Sequence, residues 1–108
     1  MTVNILGTEY TIRFIPEEED DILKDYDGYC DETVKEVVVK KYKRGEPGSK
    51  KNLELQEQKN HRHEIVHAFL FESGLAENSG WAQNEEMVDW IAKQGPKLIK
   101  AWQEAGAL

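Results

Sequence analysis

His63 and His67 stand four residues apart, with Glu64 directly after the first. Their types and spacing could do chemistry together. In a helix, residues i and i+4 lie one above the other on the same face. Both imidazoles can therefore reach a single metal ion, with the Glu64 carboxylate beside it. The pattern is H-E-x-x-H, and the chemistry it suggests is hydrolysis by a water that a bound zinc acidifies.

Two histidines do not complete a catalytic zinc site, which takes three protein ligands and keeps one position open. His61 precedes His63 by two residues and so falls on a different helix face. The third ligand is then expected to be a carboxylate C-terminal to the pair, and Glu72, Glu77, Glu85, Glu86 and Asp89 are the candidates. Glu72 is on the same rigid helix and turned away from the histidines, and Glu77 lies in a linker. Glu85 and Asp89 are i and i+4 on a following helix. One of them can bind metal while the other hydrogen-bonds a ligand histidine from behind.

These side chains need a scaffold, and the chain supplies it in two halves. In the first, residues 1–42, apolar and polar residues alternate as in strands. Val3, Ile5, Tyr10, Ile12 and Phe14 outline a hairpin across residues 2–15, with Gly7-Thr8 between its arms and Pro16 at its end. Ile22, Leu23 and Tyr26 suit a short helical turn. Residues 28–31 and 36–41 outline a second hairpin, whose last strand contains the β-forming run Val37-Val38-Val39. Residues 42–52, with Gly45, Pro47, Gly48 and Ser49, form a loop.

From Leu53 to Ser73 the pattern is helical. Beyond His63 it is apolar nearly all round, which predicts a helix buried on every side. Gly74 is the expected stop, followed by a linker with Trp81 as its anchor. Asn84 is the expected cap of a helix over 85–94, and Gly95-Pro96 is expected to end it and start another. These C-terminal helices span residues 84–106. Strands first and helices after predict an α+β domain, with a small antiparallel or mixed sheet packed on the central helix.

Length and composition fit one such domain. The chain has 108 residues, of which 39% are hydrophobic and 32% charged. It shows no apolar run of membrane-spanning length and no signal-peptide pattern at its start, so a cytoplasmic, non-membrane protein is expected. The net charge of −7 argues against nucleic acid as a partner. The acidic run Glu17–Asp21 and the basic stretch Lys40–Lys51 read as solvated loops. Cys30 is the single cysteine, which excludes an internal disulfide or a cysteine-rich metal cluster.

His63-Glu64-x-x-His67, followed after a linker by Asn84-Glu85-x-x-x-Asp89, resembles the gluzincin branch of the zincin metallopeptidases. Ile91-Ala92 beyond Asp89 adds a resemblance to the small ImmA/IrrE-like metallopeptidases of phages and prophages. The metzincin pattern does not fit, since Leu70 and Ser73 stand where its glycine and third histidine belong. The resemblance covers roughly residues 28–92. It implies a minimal zincin-like fold holding one Zn²⁺ on His63, His67 and Glu85. It also implies Asp89 behind His63, Glu64 as general base, and a polypeptide substrate or protein partner.

Zincins hold substrate as an added strand along a sheet edge, and the matching strand here is expected at Val37, Val38 and Val39. Larger gluzincins also stabilise the oxyanion with a C-terminal tyrosine or histidine. This chain has neither after residue 92, so Tyr26, Tyr29 and Tyr42 are the candidates. That gap leaves open a zinc-stabilised interaction module without turnover. Cys30 is expected to be an ordinary buried thiol rather than an inhibitory zinc ligand.

Overall fold

The structure, a computed structural model, describes residues 1–108. It is an α+β arrangement of a four-stranded mixed sheet and three helices. The first hairpin is β1 (Thr2–Ile5) and β2 (Thr8–Ile15). It turns through Leu6 and Gly7, both at positive φ as a tight two-residue hairpin turn requires. The second hairpin is β3 (Gly28–Asp31) and β4 (Glu36–Lys40). Two 3₁₀ turns, Glu17–Glu19 and Asp21–Lys24, link the hairpins; of the expected anchors the second buries Leu23, while Ile22 and Tyr26 are exposed.

The sheet order is β1-β2-β4-β3, with β4 parallel to β2 and antiparallel to β3. This corrects the expectation that Val37, Val38 and Val39 form a substrate-binding edge. β4 is an inner strand with neighbours on both sides, and the three valines are 0% exposed. Successive side chains of a strand point to opposite faces, so three buried in a row mark a strand covered on both. Val37 and Val39 join Ile5, Tyr10, Ile12 and Ala68 in the core beneath the long helix. Val38 faces the other way with its register partners Tyr29 and Arg13. The edge strands are β1 and β3.

The first helix, α1 (Leu53–Glu72), is capped by Asn52, whose side chain accepts from the Leu55 N–H. It ends at Ser73, with Gly74 in the left-handed region. It is not buried all round. Ala68 faces the sheet, and Leu70 packs with Ala76, Ala82 and Val88 on the opposite flank. Phe69 between them is 41% exposed. α1 is thus sandwiched on two sides and open on a third, because so few elements are available to cover it. No helix is long and apolar enough to cross a membrane.

The linker forms a single helical turn, α2 (Leu75–Asn78), and a 3₁₀ turn over Gly80–Gln83. Its anchor is the small Ala82, while Trp81 is 58% exposed, contrary to expectation. Helix α3 runs unbroken from Glu85 to Glu104 through Gly95 and Pro96. The two expected C-terminal helices are therefore one. Asn84 caps it as predicted, accepting from the Met87 N–H at 2.8 Å.

Candidate metal centre

α1 and α3 meet at the three groups the sequence singled out. His63 Nε2 lies 2.9 Å from one carboxylate oxygen of Glu85, and His67 Nε2 lies 2.9 Å from the other. The two Nε2 atoms are 3.2 Å apart. For ligand atoms about 2.0–2.1 Å from a tetrahedral zinc, geometry puts neighbouring ligands about 3.3 Å apart. His63, His67 and Glu85 thus have nearly the spacing of three corners of such a site. Each contributes an atom that can donate a lone pair. A group of lone pairs turned toward one point is the arrangement a cation satisfies.

The surroundings favour the same arrangement. His63 Nδ1 lies 3.3 Å from Asp89 Oδ1, which suits the tautomer with its proton on Nδ1 and its lone pair on Nε2. Lys59, one turn before His63 on α1, donates to the same Asp89 oxygen at 3.1 Å and, ahead of other causes, holds that carboxyl below its ordinary pKa. Burial pushes the His67 imidazole below its usual pKa, which keeps it neutral and available as a ligand.

Glu64 lies in the same cavity as these donors. It is 8% exposed, and no hydrogen bond stabilises its ionised form. Burial, followed by repulsion from Glu85 and Asp27, pushes it up to about 8. A divalent cation on the adjacent donors opposes both repulsions. Gly28 makes room for this carboxylate at the start of β3. A Cβ there would meet the Val38 carbonyl oxygen at 2.8 Å and Glu64 Cγ at 3.1 Å. Sequence reasoning passed over Gly28, although a glycine within a strand often marks such a close approach.

These residues open onto a cavity of about 600 Å³ between β3, α1 and α3. Tyr26, Asp27, Gly28, Tyr29 and Cys30 form its β3 side, while Phe71, Ala82 and Gln83 close the end near His67. Lys59, Asn60 and Asp27 were also missed. For Lys59 a signal existed, since it stands four residues before His63 and shares its face.

The three tyrosines separate here. Tyr26 stands exposed at the rim and Tyr29 lines the wall, but Tyr42 is outside the cavity. The Tyr29 hydroxyl donates to Asp20, and burial together with that bond pushes its pKa up to about 12. Tyr42 instead accepts from Asn60 Nδ2 at 2.8 Å.

The remaining candidates stand apart from the histidine pair. His61 meets Phe14 edge-on at 4.8 Å, on the sheet side of α1. Glu72 bonds Thr8, Tyr10 and Lys35. Neither Glu77 nor Glu86 joins the histidine pair. Cys30 packs against the main core, and burial pushes its thiol up to about 12, the behaviour of an inert thiol.

Comparison of the chain with protein-family models, curated proteins and solved structures gives no match. The case for function therefore rests on the residues and their geometry.

Proposed function

We propose that the protein is a zinc-dependent metallopeptidase. The observation that carries this reading is the convergence of His63 Nε2, His67 Nε2 and both Glu85 oxygens, with Glu64 buried beside them. Bound there, Zn²⁺ would polarise a peptide carbonyl and acidify water. Glu64 takes the water's proton and passes it to the leaving amine. Asp89 holds the His63 ring in its ligating tautomer, and Lys59 keeps Asp89 ionised. The polypeptide lies along β3, the edge strand whose Gly28, Tyr29 and Cys30 line the cavity. Pairing to an edge reads mainly backbone, so a range of side chains is compatible with it.

A second reading is a zinc-stabilised interaction module without turnover. It is favoured by the commitment of the Tyr29 hydroxyl to Asp20, which leaves the oxyanion without a donor from that tyrosine. Metal analysis and a cleavage assay test both. The peptidase reading expects one zinc per chain and cleavage of an unfolded polypeptide that a chelator abolishes and zinc restores. One zinc per chain with no cleavage leaves the module. No zinc uptake removes both.

A further inference from the structure

Pro96 lies inside α3 and has no N–H to return to the carbonyl four residues earlier, which belongs to Ala92. Ala92 is buried, so that oxygen needs a partner. Arg62 Nε provides one from α1 at 2.6 Å. The two ends of this bond are informative. Arg62 immediately precedes His63, and Ala92 follows Glu85 and Asp89 at helical spacing along one side of α3.

We infer that Arg62 is a positioning residue of the metal centre. Its bond to the carbonyl left free by Pro96 fixes how far α3 is slid along α1, and so holds Glu85 opposite His63 and His67. In a regular α3 that carbonyl would already accept a bond within its own helix and would need Arg62 less. The proline thus converts an internal helix bond into a bond between helices. Lys59 and Asp89 make a second contact between the two helices, an ion pair at 3.1 Å. Two contacts resist a slide of α3 that either alone would permit. This inference rests on His63, His67 and Glu85 being a zinc site.

The test uses the full chain, zinc itself as the probe, and two substitutions in combination. Arg62→Met keeps much of the side chain's apolar length but removes the donor. It is expected to weaken zinc binding roughly tenfold or more, as loss of a supporting hydrogen bond does at metal sites. It should also lower the melting temperature of the metal-free protein, because a buried carbonyl loses its partner. Adding Pro96→Ala returns an N–H to that carbonyl. The double variant is expected to regain the lost stability yet keep the weakened zinc binding, and Arg62→Lys to recover part of the affinity.

If the double variant regains zinc affinity together with stability, Arg62 is only a carbonyl cap and the inference is overturned. Wild-type affinity in Arg62→Met overturns it directly. Absence of zinc binding by the wild-type protein would instead defeat the zinc reading. Positioning is then decided by the imidazole NMR signals of His63 and His67. Movement between Pro96→Ala and the double variant supports it, and coincident signals reject it.

Discussion

Helix α1 carries a carboxylate-centred cluster at its middle and another at its C-terminal end, and they are built on opposite plans. At the end, Glu72 accepts from Thr8 Oγ1 at 3.0 Å, Tyr10 Oη at 2.7 Å and Lys35 Nζ at 2.6 Å. Every neighbour is a donor, and the Lys35 and Tyr10 bonds lead in holding the carboxyl down to about 2. At the middle, Glu64 has no donor, and the two oxygens of Glu85 face two ring nitrogens that can ligate a metal. The first cluster is complete with protein atoms alone. The second gathers groups that a positive charge at its centre would join, which is the physical basis for proposing it as a metal site and the first as a clasp between helix and sheet.

Breaking the middle cluster at Glu64 should have the largest effect. Glu64→Gln keeps shape and leaves His63, His67 and Glu85 in place, so zinc binding is expected to persist while peptide cleavage falls about 10²–10⁴-fold, the usual contribution of a general base. Measured zinc content and initial rates on the same preparation decide the matter. Normal zinc content with an unchanged rate would remove Glu64 from the chemistry.

Next in size is the choice of third ligand. Glu85→Ala is expected to weaken zinc binding by more than about 100-fold, beyond the 10–100-fold typical of supporting residues. Asp89→Asn should fall within that supporting range, and Glu86→Ala should leave affinity nearly unchanged. Competition with a chromophoric chelator ranks the three, and any order that places Glu86 above Glu85 defeats the assignment.

Much of this contrast is legible in the sequence. His63, Glu64 and His67 declare themselves by spacing, and the i, i+4 relation of Glu85 to Asp89 separates Glu85 from its neighbour Glu86 without coordinates. The first hairpin follows from alternation at Ile5, Tyr10 and Ile12, and the start of α3 from the Asn84 cap. What local pattern does not encode is non-local pairing. Val37-Val38-Val39 signals a strand, but that β2 pairs beside it in parallel, making it an inner strand and β3 an edge, depends on a contact across the chain. Pro96 is the same case. Its cost to α3 is local, whereas the Arg62 bond that compensates the free carbonyl comes from thirty residues away on the other helix of the site.

The clasp at Glu72 supplies the smallest effect and the sharpest contrast with the metal centre, because it should touch stability alone. Glu72→Gln leaves Thr8, Tyr10 and Lys35 facing a neutral amide, which accepts fewer hydrogen bonds and attracts no cation. The folded carboxyl ionises near about 2 against an ordinary 4.5. A carboxyl whose pKa is depressed by folding adds stability above its unfolded pKa, and loses that contribution as pH falls toward the folded value. The variant should therefore melt below wild type at pH 7, with the gap narrowing from about pH 4.5 downward and closing near pH 2. Zinc affinity should be unchanged throughout the neutral range, since Glu72 is two helical turns beyond Glu64 and bonds only to the sheet side. A pH-independent gap would mean that Glu72 acts through packing rather than charge. A loss of zinc binding would mean that the two clusters are not separable, and that the end of α1 must be clasped before its middle can bind metal.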